Sequence, residues 1–282
     1  MEKYIKSPLN YVGGKYKLLD QIIPLFPSDI DTFVDLFAGG FNVGINVKAK
    51  KIICNDHEKV VIELLEELSK LKSDEALSIL KETIRKYDLS KENEEGFKKI
   101  RSHYNNGDRR WNMFYAMLTH AFNYQIRFNN SNEYNMPFGK NRSSFNKNLE
   151  KNFIAFINEL NLKDVEFSNF DFLSFDFSNL KSNDIVYCDP PYLITCASYN
   201  EKNGWNEIKE KQLLDLLDRL NSEKINFALS NVFENKGKTN EILKEWSEKY
   251  NVHYLNHSYG NCNYHAKDKS KNSTVEVLIT NY

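Results

Sequence analysis

The chain has 282 residues, of which 41% are hydrophobic and 27% charged, and its formal net charge is −1. These values are typical of a soluble globular protein that can bury a real core, and they exclude a nucleic-acid binder held by overall charge alone. No apolar stretch approaches the length of a membrane span, the first residues lack the apolar core of a signal peptide, and four cysteines do not form a disulfide scaffold. We therefore expect a cytoplasmic protein.

The first elements along the chain predict a nucleotide-binding α/β unit. Residues 32–37 form a predicted strand that runs into the glycine turn at 39–40, and a second predicted strand at 51–55 ends at Asp56 after a short helical stretch. Strand, glycine turn, helix, strand and acid make up the first half of such a unit. An acid at the end of the second strand is placed to bind ribose hydroxyls.

From residue 57 to about residue 160, helical patterns replace the alternation of strands and helices. The predicted helices in this part include 60–71, 74–85 and 111–122. A polar segment at 129–133 predicts the tip of a β-hairpin. The strands then resume at 165–167, 185–188, 225–230, 252–255 and 274–280. The predicted fold class is α/β, with a sheet domain formed by residues 1–70 and 160–282 and a mostly helical insertion at 71–159 that carries the hairpin.

The tetrapeptide Asp189-Pro190-Pro191-Tyr192 directly follows the predicted strand at 185–188. Open α/β sheets bind their ligands at the carboxyl ends of the strands, and the strand must end here because proline cannot donate to a β-ladder. The segment then presents an acceptor and an aromatic ring on a stiff wall, which suits a flat ring with an amino group, such as adenine. Taken alone, the tetrapeptide fits an acidic turn equally well.

The glycine-containing segments do not match a dinucleotide-binding or phosphate-binding loop. Phe41 stands where the G-x-G-x-x-G motif has its second glycine, and residues 13–15 (Gly-Gly-Lys) are followed by Tyr16 rather than by Ser or Thr. A ligand that has ribose and adenine but no phosphate fits these observations, and S-adenosylmethionine is such a ligand. Taken alone, the turn at 39–40 also fits a packing turn.

Several segments together resemble the Dam-type DNA adenine-N6 methyltransferases, most of all the T-even phage branch. They are residues 10–15 (NYVGGK), 33–40 (FVDLFAGG), 55–56 (ND), 126–129 (IRFN), 136–140 (MPFGK), 189–195 (DPPYLIT) and 276–281 (EVLITN). The resemblance covers nearly the whole chain in the family's order. It implies a Rossmann-like methyltransferase sheet with a DNA-recognition insertion. It also implies an enzyme that flips the target adenine out of the duplex and transfers the methyl group of S-adenosylmethionine directly to N6, leaving S-adenosylhomocysteine.

The resemblance assigns catalytic and cofactor-binding roles to individual residues. The catalytic residues are Asp189, Pro190 and Tyr192, with the Asp189 carboxylate and the Pro190 carbonyl accepting the two N6 hydrogens and the Tyr192 ring stacking on the base. The cofactor-binding residues are Tyr11, Lys15, Phe37, Gly39, Asp56, Asp171, Phe172, Asp189 and Tyr199. Without the resemblance, Lys15 would be expected as a solvated lysine and Tyr11 as a core aromatic.

The resemblance also implies a set of DNA-binding residues, most of them in the insertion: Asn10, Gln125, Arg127, Asn129, Pro137, Lys140 and Arg142. Arg127 matches the family's guanine-reading arginine, and such a bidentate contact is the commonest specific pairing. Asn10 replaces a lysine of the enzymes that read GATC, and Gln125 replaces an apolar residue that touches a thymine methyl group. The leading expectation is a GATC-like site, and other sequences stay open.

The expected partners are double-stranded DNA and a cognate restriction endonuclease, and the chain is expected to be a monomer that reaches the nucleoid through DNA. No metal is expected. Four residues raise the question of zinc, namely His253, His257, Cys262 and His265, but the spacing of the last two matches only half of a zinc knuckle and no second close pair follows.

Two alternatives stay open at this point. An RNA or cytosine-N4 methyltransferase is disfavoured because the cytosine enzymes usually carry Ser in place of Asp189. A DNA-binding protein that has kept the cofactor site and lost catalysis is disfavoured because the tetrapeptide and the segment at 10–15 are intact.

Overall fold

The structure is a computed structural model that describes residues 4–11, 13–195, 204–256 and 274–282. By its internal contacts the chain divides into two compact units. The helical unit comprises Met1–Tyr16, Gly39–Ile45 and Glu58–Phe167, and the sheet unit comprises Lys17–Ala38, Asn46–His57 and Ser168–Tyr282. Among the described residues, no helix is both long enough and apolar enough to cross a membrane.

The described strands form one mixed sheet. They are β1 (Thr32–Asp35), β2 (Lys51–Asn55), β3 (Val165–Ser168), β4 (Ile185–Cys188), β5 (Asn226–Asn235), β6 (Lys238–Thr239), β7 (Asn251–Leu255) and β8 (Thr274–Thr280). Their order is β3-β2-β1-β4-β5-β8-β7, and β6 pairs with β5. β1 is parallel to β2 and β4, and β4 is parallel to β5, whereas β8 is antiparallel to β5 and β7. This sheet confirms the predicted Rossmann-like α/β class.

The described α-helices are α1 (Leu19–Ile22), α2 (Lys59–Ser69), α3 (Ser73–Lys86), α4 (Glu94–Asn105), α5 (Trp111–Leu118), α6 (Lys147–Leu160), α7 (Glu207–Ser222) and α8 (Glu241–Ser247). In the sheet unit, α7 buries leucines spaced along one face, including Leu213, Leu217 and Leu220. This spacing gives an amphipathic helix, and these leucines join a core with Val186 of β4 and Ile279 of β8.

The short helical stretch predicted between β1 and β2 is present as a 3₁₀ helix of three residues, Gly44–Asn46, and not as an α-helix. Phe41 is fully buried and has a φ of 60°, which is in the left-handed region that a non-glycine residue seldom adopts and that interrupts a right-handed helix. Its ring fills the space beside Gly44, because a Cβ added at Gly44 would lie 2.2 Å from Phe41 Cε2. Packing of this ring therefore sets the local backbone.

The strand β5 is longer than predicted and continues to Asn235. The sequence pattern ended at Ser230 because polar residues such as Asn231 and Glu234 interrupt the apolar run. In the structure these residues still pair with β8, across a register irregularity between Val232 and Glu234. A bulge of this kind lets a strand continue past a break in its apolar alternation.

The core of the helical unit is α5, whose residues from Asn112 to Leu118 are all buried. The helix was predicted to reach residue 122 but ends earlier, because Ala121 pairs with Phe138 and the Phe122 N–H donates to the Pro137 carbonyl at 2.9 Å. The chain therefore leaves the helix to enter the hairpin.

The predicted hairpin is present as two isolated antiparallel bridges, Ala121 with Phe138 and Phe128 with Tyr134. A continuous ladder does not form between them because side chains take the backbone groups. The Arg101 guanidinium donates to the Met136 carbonyl at 2.9 Å, and the Asn105 amide bonds both backbone groups of Tyr134. The hairpin is thus tied to α4 by side chains.

Candidate active site

The loops after four strands enclose a cavity of about 140 Å³ in the sheet unit. Its described lining consists of Leu36, Phe37, His57, Phe170, Asp171, Phe172, Pro191, Gly204, Trp205 and Lys209. These loops follow β1, β2, β3 and β4, and the neighbours of β1 are β2 on one side and β4 on the other. The cavity therefore lies at the carboxyl ends of the strands where the strand order reverses, which is where open α/β sheets bind ligands.

Three aromatic rings form the apolar wall of this cavity. The centroids of Phe37 and Phe172 are 5.5 Å apart, and the Trp205 ring lies 5.7 Å from Phe37 at an interplanar angle of 80° and 5.5 Å from Phe172. Such tilted and edge-on contacts leave ring faces for another flat ring. Phe37 and Phe172 were expected from the sequence, whereas Trp205 was not.

Asp171 lies in the same lining, with its side chain exposed. Its Oδ1 accepts the Leu173 N–H at 3.0 Å and its backbone carbonyl accepts the Ser174 N–H at 2.8 Å. The carboxylate thereby closes a tight turn. This turn fixes the acid beside the aromatic wall.

The buried amide of Asn55 holds two of these loops together. Its Nδ2 donates to the carbonyls of Leu36 at 2.9 Å and Phe170 at 3.0 Å, and its Oδ1 accepts from the Ser168 hydroxyl and the Phe170 N–H. All the hydrogen-bonding positions of the amide are in use. Asn55 thus sets the spacing between the loop after β1 and the loop after β3, a role that the sequence did not reveal.

Asp56, the residue expected to bind ribose, follows Asn55 and is 4% exposed. Its Oδ1 lies 3.2 Å from Nδ1 of His57, a residue that lines the cavity. The Asn169 amide donates to its backbone carbonyl at 2.7 Å. The acid is therefore held at the carboxyl end of β2, beside the cavity.

The tetrapeptide begins directly after β4, with a half-buried Asp189 and a buried Pro190. The Tyr192 hydroxyl donates to Asp189 Oδ1 at 2.9 Å and lies 3.3 Å from Oε1 of Glu276, a buried residue of β8. Burial, followed by the charges of Asp189 and Glu276, raises the pKa of Tyr192 well above its ordinary value. The hydroxyl therefore stays protonated and orients the Asp189 carboxylate. The sequence did not predict the contact with Glu276.

Cys188 ends β4 and is fully buried. Burial, followed by the charge of Asp35, raises the pKa of its thiol well above the ordinary value. A neutral buried thiol is a poor nucleophile, so Cys188 is not expected to act as one.

Three residues expected at the cofactor lie in the helical unit. Lys15 is 4% exposed and its Nζ donates to the Gly13 carbonyl at 2.6 Å, so it is not a solvated surface lysine. Gly39 has a φ of +48°, and a Cβ there would lie 2.9 Å from Cδ1 of the Tyr11 ring. Gly39 is therefore required both by its backbone angle and by the close approach of Tyr11.

Arg127 is exposed on the hairpin and its guanidinium is oriented by one residue of the opposite arm. Its Nε donates to Asn135 Oδ1 at 2.8 Å and its Nη2 donates to the Asn135 carbonyl at 3.1 Å. A guanidinium has five N–H donors, so the remaining ones can still meet an acceptor pair. The hairpin thus holds Arg127 in a fixed direction.

The other residues expected at DNA have different environments in the helical unit. The Asn10 amide donates to the Asn123 carbonyl at 2.9 Å, and the Asn129 side chain is used in the hairpin tip, where it bonds Ser131 and Glu133. Gln125 is half-buried, whereas the remaining three residues are exposed: Pro137, Lys140 and Arg142. The Arg142 guanidinium lies 6.0 Å from the centroid of the Phe122 ring.

Some expectations fall on residues outside the described ranges, namely Tyr199, His257, Cys262 and His265. Of the four residues that raised the question of zinc, His253 is described, and its Nε2 lies 3.3 Å from the Thr280 hydroxyl. Among the described residues, no cluster of three or more His, Cys, Asp or Glu side chains could hold a metal ion.

A larger cavity, of about 800 Å³, lies in the helical unit. Its described lining includes Glu63, Glu67, Arg109 and Trp111. None of the residues expected at the cofactor or at DNA is among this lining. Its size alone therefore does not make it the catalytic site.

Residues 11–261 match the family of D12 class N6 adenine-specific DNA methyltransferases. The chain belongs to this family. It is 53% identical over 283 positions to the type II methyltransferase M.FokI of Planomicrobium okeanokoites and 50% identical over 287 positions to the modification methylase StsI of Streptococcus sanguinis. It is also 24% identical over 255 positions to the DNA adenine methylase of Salmonella typhi, with 88% of this chain and 86% of that protein covered.

The first two alignments cover 99% and 100% of this chain but 43% of each relative, so the chain spans less than half the length of these two relatives. The family match confirms the resemblance to DNA adenine-N6 methyltransferases. The relatives also include a DNA adenine methylase that aligns over most of both chains at lower identity.

Proposed function

We propose that this D12-class chain is a site-specific DNA adenine-N6 methyltransferase that uses S-adenosylmethionine and releases S-adenosylhomocysteine. The observation that supports this most is the tetrapeptide at the end of β4, where Asp189 is half-buried and hydrogen-bonded by the Tyr192 hydroxyl. An oriented carboxylate at the carboxyl end of a central strand can accept hydrogen bonds from an adenine amino group.

The residues around the cavity fit the adenosine part of the cofactor. The rings of Phe37, Phe172 and Trp205 offer apolar faces to adenine, and Asp171 beside them is an acceptor for its amino group. A volume of about 140 Å³ is below the ~300–1,000 Å³ of typical ligand pockets, so this cavity takes one ring system and not the whole cofactor. Asp56 then binds the ribose hydroxyls. The roles of Tyr11, Lys15, Gly39 and Tyr199 at the cofactor stay predictions from the resemblance.

When bound, the cofactor supplies an electrophilic methyl group on a sulfonium sulfur. The N6 amino group of adenine is a poor nucleophile because its lone pair is delocalised into the ring. The Asp189 carboxylate accepts a hydrogen bond from one N6–H and the Pro190 carbonyl accepts a hydrogen bond from the other, which draws the nitrogen toward a tetrahedral geometry. The one proton that N6 loses on gaining the methyl group passes to solvent. Tyr192 keeps the carboxylate in one orientation and its ring stacks on the base. Catalysis then rests on positioning and electrostatics, and the target adenine must be flipped out of the duplex to reach the site.

We further propose that the insertion predicted at 71–159 reads double-stranded DNA, with Arg127 contacting a guanine. The exposed guanidinium held by Asn135 supports this role, because a fixed fork of donors suits bidentate base contacts. Four expectations stay predictions. They are a GATC-like recognition site, a close relationship to the T-even phage branch, a monomeric state and pairing with a cognate endonuclease. The relatives named as type II and modification methylases agree with a restriction-modification role.

The proposal is tested with Asp189→Ala. Since the carboxylate acts on charge that develops at N6, its loss appears chiefly in the transition state. We expect transfer of a tritiated methyl group to unmethylated genomic DNA to fall below about one hundredth of the wild-type rate, as for loss of an electrostatic transition-state contact. Affinity for duplex DNA in a gel-shift titration stays close to wild type because phosphate contacts supply most of it.

The matched control is Asp215→Ala, which removes an exposed carboxylate from α7 in the same unit and should leave the rate unchanged. If Asp189→Ala kept a tenth or more of the wild-type rate, the activation barrier would have risen by about 1.4 kcal/mol or less. The tetrapeptide would then not have the proposed role. Mapping N6-methyladenine in the treated DNA by single-molecule sequencing would give the recognition sequence.

A further inference from the structure

Glu210 is a fully buried carboxylate in the first turns of α7. Acidic residues are almost never fully buried unless they are paired or hydrogen-bonded. Here Oε2 accepts the indole N–H of Trp205, and Oε1 accepts the side-chain amides of Asn231 at 3.2 Å and Asn240 at 2.9 Å. Burial raises the pKa of the Glu210 carboxyl, and these three hydrogen bonds oppose that rise.

The partners of Glu210 are all donors, so the position requires a group that only accepts. An ionised carboxylate meets this requirement, whereas a glutamine would turn its NH₂ group toward one of the donors. The two asparagines are fixed by the fold, because Asn231 belongs to β5 and Asn240 caps α8 by accepting the Leu243 N–H at 3.1 Å. Oε1 is therefore anchored, and Oε2 is left to hold Trp205.

Trp205 lies in the loop before α7, outside any helix or strand. Its ring packs on Phe37 and Phe172 and lines the cavity at the carboxyl ends of the strands. No regular backbone pattern fixes its direction there. The hydrogen bond to Glu210 supplies that fixed direction at the polar edge of the indole, while the two rings hold its apolar body.

We propose that Trp205 contacts the cofactor adenine as a wall of this cavity, and that Glu210 is a positioning residue that holds the indole in place through its N–H. The inference rests on the proposed use of S-adenosylmethionine and names two residues that neither the motifs nor the family match assigned. Glu210 acts on affinity for the cofactor and not on the methyl transfer itself.

The chain contains a matched control for a tryptophan held by a carboxylate. Trp246 of α8 donates its indole N–H to Asp218 Oδ1 at 2.9 Å and packs on Phe227 and Tyr250. It belongs to the same unit and is not among the residues that line the cavity. A general effect of removing an anchored indole would therefore appear equally in Trp205→Phe and Trp246→Phe.

The test is tryptophan fluorescence during titration with S-adenosylhomocysteine, since the chain has three tryptophans and indole emission responds to a stacked ring. In the wild type and in Trp246→Phe, we expect the emission to change with ligand, and calorimetry to give the same dissociation constant. In Trp205→Phe the ligand-dependent change should be lost and affinity should fall about 3- to 10-fold, the size expected for one aromatic contact.

Glu210→Gln should weaken S-adenosylhomocysteine binding about threefold or more, as expected when one donor loses its acceptor. The KM for S-adenosylmethionine should rise while kcat at saturating cofactor stays unchanged, a split that a general loss of structure would not produce. Circular dichroism and urea unfolding establish that each variant is folded. If Glu210→Gln does not fold, Glu210→Asp replaces it, because it keeps a group that only accepts but shortens its reach to the Trp205 indole.

The outcomes separate this inference from the proposed function. Absence of S-adenosylhomocysteine binding by the wild-type protein would overturn the proposed cofactor, and with it this inference. Wild-type binding together with an unchanged fluorescence response in Trp205→Phe would overturn the contact alone. Unchanged affinity in folded Glu210→Gln, with Trp205→Phe impaired, would overturn the positioning role of Glu210.

Discussion

The Tyr192 hydroxyl has one proton and two carboxylate neighbours. The oxygen of Asp189 is nearer, at 2.9 Å, than that of Glu276, at 3.3 Å. A hydroxyl can donate to one acceptor at a time, so the shorter contact defines the orientation of the Asp189 carboxylate. The tyrosine of the tetrapeptide therefore has two roles in the proposed chemistry, as a stacking ring and as the donor that fixes the acid.

Tyr192→Phe separates these two roles, because it keeps the ring and removes the donor. We expect the methylation rate to fall about tenfold, which corresponds to the ~1.4 kcal/mol lost with one hydrogen bond to a charged group. DNA affinity should be unchanged. The measurement is single-turnover methyl transfer at saturating DNA and cofactor. A rate equal to wild type would show that the hydroxyl does not orient the acid.

The raised pKa of Tyr192 also predicts how the methylation rate depends on pH. Its pKa lies well above the ordinary value because of burial and two nearby carboxylates, so it remains a neutral donor at and above its usual titration range of about 10. The methylation rate of the wild type should therefore not decline in this pH range through loss of the Tyr192 proton. Wild type and Tyr192→Phe should have alkaline pH profiles of the same shape. A decline below pH ~10 that the substitution abolishes would contradict the raised pKa.

At the scale of single elements, the turn after β1 shows how packing can outweigh local preference. The buried ring of Phe41 fills the volume that a side chain at Gly44 would need, and its own backbone takes the left-handed conformation. Such a conformation costs on the order of 1–3 kcal/mol for a non-glycine residue. It persists here because the surrounding core holds the ring.

Gly44→Ala should destabilise the protein by about 1–3 kcal/mol, the cost of overpacking a filled core. The reason is that the new Cβ would lie 2.2 Å from a ring that is fully buried and has no open side to move toward. Gly40→Ala is the comparison, since the atoms nearest to a Cβ there would lie at 3.3 Å, a tight contact but a much milder one, so its loss of stability should be smaller. Urea unfolding measures both variants. Equal effects would show that the Phe41 ring moves easily.

The strands were predictable because their signals are local. Residues 51–55, 185–188 and 274–280 were assigned with the observed bounds, since each is a short apolar or β-branched run between turn residues. The position of the tetrapeptide at a carboxyl end followed from the same reasoning, because parallel strands place their following loops on one edge of the sheet.

The features that the sequence did not predict depend on contacts between distant residues. Asn55 reaches Phe170, which is 115 positions away, and Glu210 meets Asn240, 30 positions away. No periodicity in the chain encodes such pairs. The hairpin was predicted at the right place, but its missing ladder depends on Arg101 and Asn105 of α4. Local patterns thus predicted the edge of the sheet where the candidate cavity lies, and tertiary hydrogen bonds hold the loops around it.

At the scale of the whole molecule, the net charge of −1 means that the proposed affinity for DNA cannot come from overall attraction. It must come from local groups, and Lys140 and Arg142 are exposed near the hairpin. Each basic side chain that neutralises a phosphate releases counterions, so log K falls with log salt concentration in proportion to the number of such contacts. The slope of log K against log salt concentration therefore gives the number of phosphate contacts, even for a chain whose net charge is close to zero.

Lys140→Ala and Arg142→Ala should each weaken binding to all duplexes alike and reduce the salt slope by about 1, as expected for a phosphate contact. Lys81→Ala is the control, because Lys81 lies on α3 and its Nζ is 2.7 Å from Glu150, so a phosphate contact there would first have to break an ion pair. Titrations of a labelled duplex at several salt concentrations give the slopes. If the slope stays at the wild-type value in Lys140→Ala and Arg142→Ala, the DNA backbone lies on another face of the helical unit. If the slope falls equally in Lys81→Ala, positive charge spread over the helical unit attracts DNA. Lys140 and Arg142 near the hairpin then contribute no more than other basic residues.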